Sequence, residues 1–179
     1  RMFIHINNNI YGGHNLNTTV KNKTDLQKNM KTIKPVNIYW ICMAAPKRYK
    51  QFINKPYSIK NLAYIYGLAF RGFYSIALLL KSKGLPIVIN TGNWGSGAFN
   101  QNINVMYVLQ RLAINSVATI TGYPIIYNHS GFSSNIQGIL TSTAEPKFKE
   151  LIKKSNDVNT FLNELKNLTS TDKDWNKKY

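Results

Sequence analysis

From residue 36 onward the chain alternates short, wholly apolar runs with longer stretches of helical periodicity. That alternation limits the fold more than any other feature. Val36–Ala45 (VNIYWICMAA) is continuous, rich in β-branched and aromatic residues, and ends at Pro46. Such a run predicts a strand buried on both faces. A helix is expected from Pro56–Ser58 to about Ser82, closed by Lys81, Lys83 and Gly84. Pro86–Thr91 (PIVINT) predicts a second buried strand, which runs into a glycine-rich loop, Gly92–Phe99. The next helix, from about Asn104 to Ala118, gathers Val105, Met106, Val108, Leu109, Leu112 and Ala113 on its apolar face. Tyr123–Tyr127 (YPIIY) predicts a third strand. Strands and helices in this order imply an α/β fold with a parallel sheet and right-handed crossovers. Beyond Gly131, shorter helices are expected around Ser134–Leu140, Pro146–Lys154 and Val158–Leu168, the last with Asp157 as N-cap. Residues 1–35 form an Asn-rich N-terminal part whose apolar stretch, Met2–Ile6, reads as a strand. Residues 36–168 form the α/β core, and 169–179 read as a polar tail.

Charge decides which chemistry this scaffold can carry. Lys and Arg number 23 against 7 Asp and Glu in 179 residues, a formal net charge of +16. Asp25 is the single carboxylate before Glu145, set against 15 basic residues over 1–144. Reactions that need paired carboxylates in the body of the chain, and carboxylate-rich Mg²⁺ or Ca²⁺ sites, are excluded. An anionic partner is favoured. Cys42 is the single cysteine, which rules out an intrachain disulfide and a Cys-based zinc site. Lying in an apolar run, it is expected to be an inert core thiol, with Trp40 also in the core. A His-only metal site would need His5, His14 and His129 to converge, so neither metal nor cofactor is expected. Residues 62–80 are nearly long enough to span a bilayer. Arg71 at their centre would cost about 2.5–3.5 kcal/mol on insertion, and Tyr64, Tyr66 and Tyr74 weaken the case further. A largely buried helix is expected instead. With no secretory leader read in the chain, an intracellular location without a membrane partner is expected.

The chemistry-bearing segment is Thr91-Gly92-Asn93-Trp94-Gly95-Ser96-Gly97-Ala98-Phe99. It follows a buried strand and precedes a helix, where ligands bind in open α/β sheets. Its glycines let the backbone approach a ligand closely. The following helix start, with unpaired N–H groups and a positive dipole end, makes phosphate the natural guest. The same glycines would also serve a tight strand-to-helix turn. No Gly-Lys-Ser/Thr follows, so the loop is not a P-loop.

The run TGNWGSGAF, ahead of a helix carrying Gln110 and Ala113, closely resembles the second signature loop of poly(ADP-ribose) glycohydrolases and related microbial macrodomains. Eight of nine positions match the family's commonest form, with Ser96 in place of the usual Cys. The resemblance implies a macrodomain-like α/β/α sandwich with a mostly parallel central sheet, and it covers roughly residues 36–131. It implies that Thr91–Phe99 wraps the diphosphate of ADP-ribose and that Phe99 lines the distal ribose. Met43-Ala44-Ala45-Pro46 is similar to the family's A-A-P segment. Tyr127-Asn128-His129-Ser130-Gly131 falls where the family borders its adenosine or distal ribose pocket. The departures are as informative. After Phe99 the family continues with glycine, whereas here Asn100-Gln101-Asn102 follows. The family's catalytic signature, G-G-G and then Q-E-E, has a degenerate counterpart in Asn7–His14. Gly12 and Gly13 remain and His14 replaces the third glycine. The glutamate positions fall near Asn22-Lys23-Thr24, leaving Asp25 as the one carboxylate in reach of the catalytic role.

Three readings follow. The favoured one is a module that binds ADP-ribose, or an ADP-ribosylated macromolecule, through Gly12, Gly13, Thr91–Phe99, Tyr127 and Asn128 without hydrolysis. The second is an active glycohydrolase that uses Asp25, or a catalytic part outside this chain. The third is a nucleic-acid-binding module on the same scaffold. Its basis is the set of scattered bases, Arg48 among them, interleaved with Tyr49, Phe52 and Tyr57. His14 reads as a surface residue, while His129, after a strand end, is the better placed histidine.

Overall fold

The computed structural model describes residues 3–6, 30–33, 39, 41–49, 55–97, 99–129, 134–172 and 175. The chain divides into two compact units, residues 1–40 and 41–179. In the first, β1 (Phe3–Ile6) pairs antiparallel with β2 (Met30–Ile33), Phe3 opposite Ile33 and Ile6 opposite Met30. The strand expected at Met2–Ile6 is present, and its partner MKTI is a strand the sequence pattern did not signal.

The second unit is mixed α/β. Its order is α1 (Ile59–Ser82), β3 (Ile87–Thr91), α2 (Ile103–Thr121), β4 (Ile125–His129), α3 (Ser134–Ile139), a π-helical turn (Leu140–Ala144), α4 (Glu145–Lys154) and α5 (Val158–Thr171). β3 and β4 pair in parallel, from Ile87 with Ile125 to Thr91 with His129, and α2 is the crossover between them. The described residues thus contain a two-stranded parallel sheet.

Local chemistry accounts for these boundaries. Ser58 caps α1 by accepting from Asn61 N. Gly122 ends α2 at φ 61°, a left-handed conformation that suits glycine. Asp157 caps α5, as expected, by accepting from Thr160 N at 2.8 Å. The two helices expected at Ser134–Leu140 and Pro146–Lys154 are instead one continuous run. Pro146 has no N–H to give the carbonyl four residues back, and the helix widens into the π turn just before it.

Burial centres on α2, which is inward-facing along the whole of 103–110. One cluster joins its Val105, Val108 and Leu109 to Leu62 and Ile65 of α1, Leu151 of α4 and Phe161 and Leu165 of α5. A second joins Ala113, Ile114 and Val117 to Ala69, Phe73 and Ala77 of α1 and to Ile87 and Ile89 of β3.

Three expectations are corrected here. Within Val36–Ala45 the described residues, 39 and 41–45, form no buried strand: they make no sheet pairing, and Tyr39 and Cys42 are exposed rather than in the core. Trp40 lies outside the described residues. The segment is an extended strap in which Ile41 and Met43 face α1 while Cys42 and Ala44 face out. Gly72 permits that approach, because a Cβ there would overlap Met43 Sδ. The helix expected to be largely buried is buried along one stripe, Leu62, Ile65, Ala69, Phe73, Ala77 and Leu80. Its most apolar 18-residue window is only 28% buried. Finally, the stretch read as a polar tail contributes Trp175 to the core.

Leu109 is fully buried in this arrangement, whereas Ile126 is 58% exposed. Leu109→Ala is expected to cost about 2–5 kcal/mol, and Ile126→Thr about 0.5 kcal/mol or less. Urea denaturation of the two variants measures the difference. Equal losses would show that α2 is not the centre of the core.

Candidate functional site

β3 delivers the chain at Thr91 into the glycine-rich loop. The loop folds on itself through Trp94 N to Gly92 O at 2.7 Å, Ser96 N to Asn93 O at 3.2 Å and Asn100 N to Gly97 O at 3.0 Å. Gly95 is buried at φ 78°, and a Cβ there would stand 3.0 Å from Met106 Cε, so backbone angle and space both require glycine. Ser96, where the resembled family has Cys, spends its hydroxyl on Asn93 O at 3.0 Å. The strap 41–49 holds the loop from outside. Trp94 Nε1 donates to Met43 O at 3.2 Å, Gln101 Nε2 to Pro46 O at 2.8 Å and Arg48 N to Phe99 O at 2.7 Å. Sequence motifs some fifty residues apart are therefore brought together. Gly97 and Phe99 are exposed, and among the described residues their amides have no backbone partner.

The start of α2 does not offer the phosphate seat that the sequence predicts. Asn102 Oδ1 accepts from Val105 N at 3.1 Å, and Asn102 N donates to the Tyr57 hydroxyl at 2.8 Å. Asn102 Nδ2 donates to Trp175 O. The Tyr57 hydroxyl in turn donates to Gln101 Oε1 at 2.9 Å. Gln101, Asn102, Tyr57 and Trp175 are all buried, so protein groups close this helix end. The same packing withdraws two residues of the nucleic-acid reading from solvent, while Lys47, Tyr49 and Lys60 stay exposed. Tyr57 is a core residue, and Arg48 lies buried with its guanidinium 3.8 Å from the Tyr57 ring centre. Neither is available to an oligonucleotide.

Beside the loop, at the carboxyl end of β4, lies an open cleft of about 370 Å³. Tyr127, Asn128 and His129 of β4 form one side; Tyr107 and Arg111 of α2, Gln137 and Glu145 complete it. Thr91 Oγ1 donates to the Tyr127 hydroxyl at 3.0 Å, which ties the cleft to the first residue of the loop. Glu145 accepts from the Tyr107 hydroxyl at 2.6 Å and from Arg111 Nη2 at 3.2 Å, with Lys149 Nζ at 3.9 Å. Arg111 also lies 5.2 Å from the Tyr127 ring centre and 5.3 Å from that of Phe148. Charge inside the cleft is thereby balanced. Burial pushes the Tyr127 hydroxyl up to about 12, and burial with the Glu145 hydrogen bond raises Tyr107, so both phenols keep their protons. His129 sits edge-on to Tyr107 at 5.2 Å, with its Nδ1 buried and lacking a partner among the described residues. Burial holds its pKa below 6.5, opposed only in part by the Gly92 backbone and the Gln137 side chain. Burial thus favours the uncharged form of the ring. Aromatic walls, amides and an imidazole, with the Arg111–Glu145 pair between them, suit a planar or polyhydroxylated group such as a nucleoside.

Of the residues expected to bind ligand, Thr91–Gly97, Phe99, Tyr127 and Asn128 stand together at the carboxyl ends of β3 and β4. Ala98, Gly12, Gly13, His14 and the catalytic candidate Asp25 lie outside the described residues. The sequence reading missed Tyr107, Arg111, Gln137 and Glu145. Tyr107 and Arg111 lie four residues apart on one helix face, a spacing that marks a shared environment. Among the described residues, no three His, Cys, Asp or Glu side chains gather as a metal-ligand set. Comparison with protein-family models, curated proteins and solved structures returns no match for this chain.

The depressed His129 pKa fixes the sign of a pH effect. The unfolded chain binds that proton more readily, so the His129 contribution is intact above about pH 6.5 and is lost as the pH falls below it. A thermal melting series from about pH 7.5 to 5 should show this loss, and His129→Gln should flatten it. Parallel curves for the two proteins would mean that His129 is not the group responsible.

Proposed function

We propose that this chain is a macrodomain-type module with an α/β/α sandwich. It holds the diphosphate of ADP-ribose on the Gly92–Phe99 loop and the nucleoside part in the adjoining cleft, and it does not cleave the ligand. Free ADP-ribose or an ADP-ribosylated macromolecule is its partner. One observation carries the reading. A glycine-rich loop leaves the carboxyl end of a parallel strand with Gly97 and Phe99 exposed and, among the described residues, their amides unspent on backbone partners, beside a charge-balanced, aromatic-walled cleft. Backbone amides in such a turn receive a diphosphate without any helix end. Absence of cleavage is supported by the state of Glu145, the carboxylate in the cleft, which is taken up by Arg111 and Tyr107.

The test is calorimetric titration together with thermal shift at millimolar ADP-ribose. Binding is expected to raise Tm in proportion to the logarithm of ligand excess. Gly97→Glu leaves the fold intact, since a Cβ there meets nothing within 4 Å, but it sets a carboxylate against the diphosphate. Phe99→Ala removes a 44% exposed ring at small cost to stability. Each is expected to reduce affinity at least about tenfold, a loss of about 1.4 kcal/mol. Absence of both heat and shift in the wild-type chain would end this reading. Release of ADP-ribose from a modified protein, abolished by Asp25→Ala, would replace binding with hydrolysis.

A further inference from the structure

As a bilayer span, residues 62–80 fail, because the inner stripe of α1 is the core of the unit and Arg71 stands exposed midway along the helix. As a surface element they fit. The outward face of α1 carries Lys60, Tyr64 (57% exposed), Arg71 and Leu78, and no Asp or Glu occurs anywhere between residues 26 and 144. At its carboxyl end the chain reverses at Gly84 (φ 66°). Gly84 N donates to Lys81 O at 2.9 Å and Leu85 N to Leu80 O at 3.0 Å. This closure folds Leu85 back across the last turn of the helix. Lys81 Nζ donates to Thr121 O, which brings the end of α2 alongside, with Ile120 60% exposed. Four aliphatic side chains, Leu78, Leu79, Leu85 and Ile120, are therefore exposed at one end of the unit, with Lys81 and Lys83 beside them.

We propose that this end of the second unit docks peripherally on an anionic lipid bilayer, placing Leu79, Leu85 and Ile120 among the headgroups and Lys81 and Lys83 against lipid phosphates. Charge complementarity selects the occupant. The surface is cationic and free of carboxylates, and a bilayer combines negative surface potential with an apolar layer. Nucleic acid supplies the charge but rewards aromatic stacking rather than leucines. The inference stands independently of the ligand reading, because it uses none of the loop or cleft residues.

Sedimentation with vesicles of phosphatidylcholine alone, and of phosphatidylcholine with about one third phosphatidylserine, tests it on the whole chain. Binding is expected to the phosphatidylserine vesicles, weakening several-fold between about 0.1 M and about 0.5 M salt. Leu79→Glu with Leu85→Glu should reduce it at least about tenfold, and separately Lys83→Glu, whose side chain takes no part in the contacts at this end of the unit described above, several-fold. These are exposed positions, and an unchanged melting curve shows that the variants are folded. In Leu85→Trp, indole emission should shift to the blue on phosphatidylserine vesicles and not on phosphatidylcholine alone. No binding by the wild-type chain, or equal binding to both vesicle types, overturns the proposal. So does protein that stays in the membrane after alkaline carbonate extraction, which would mean a span. Oligonucleotide binding unaffected by Leu79→Glu with Leu85→Glu, without vesicle binding, would assign the surface to nucleic acid instead.

Discussion

A helix whose first turns are buried on every side cannot leave its amino end to water, and α2 is such a helix. Its first turn lies inside the unit, so the orphan amides there must find protein acceptors. Asn102 meets one of these needs through its own side chain, and its backbone and amide groups reach out to Tyr57 and Trp175. That small network fixes much else. It draws residue 175 into the core and orients Tyr57 beneath the Arg48 guanidinium. It also fixes Gln101, whose amide reaches the strap at Pro46. Thr169 adds a further tie by accepting from Tyr57 N at 3.2 Å. Four separate stretches of sequence thus close on one helix terminus.

The closure has a chemical consequence. In many phosphate sites a glycine-rich loop runs straight into a helix, and anion binding is shared between loop amides and the helix end. Here Asn100, Gln101 and Asn102 intervene, and the helix end is buried, with Asn102 Oδ1 on Val105 N. Asn100, at φ 58°, and Gln101 turn the chain inward, with Gln101 N donating back to Gly95 O at 3.0 Å. What remains exposed in the loop is Gly97 and Phe99. An anion held there would rely on short-range hydrogen bonds rather than on a helix dipole, and would sit at the lip of the cleft rather than deep beneath it.

The legible parts of this fold are those in which local sequence and tertiary packing agree. α1 and α2 show in the pattern because an apolar face at the right period is also the face that is buried, and Ser58, Gly84 and Gly122 punctuate them in ordinary ways. β3 and β4 show as short apolar runs, although they are covered on one side only, with Val88 and Ile126 exposed. VNIYWICMAA misleads because hydrophobicity reports burial without saying what satisfies the backbone. The carbonyls of Met43 and Pro46 serve the glycine-rich loop instead of a sheet. Trp175 hides in a charged tail, since one aromatic residue makes no periodic signal. The loop itself is legible because glycine requirements are local, as Gly95 shows. The cleft is not, because Tyr107, Arg111, Tyr127 and Glu145 come from three elements whose approach only the packing decides.

The charge imbalance finds a physical place in this arrangement. The first carboxylate after Asp25, Glu145, is carried by the helical run after β4 to the one described arginine that lines the cleft, and neutralises it there. The cationic character of the body is therefore expressed away from the cleft, along α1 and at the amino end of β3. β3 has five residues, which at about 3.3 Å each separate its two ends by roughly 17 Å. A ligand at the carboxyl ends of the strands and an anionic surface beneath the amino end would not compete for the same side chains. Docking through Leu79, Leu85 and Ile120 would leave the loop facing solvent, where a ligand attached to a macromolecule can reach it. The two proposed activities are then compatible in one unit, joined by geometry and separable by substitution at either end of β3.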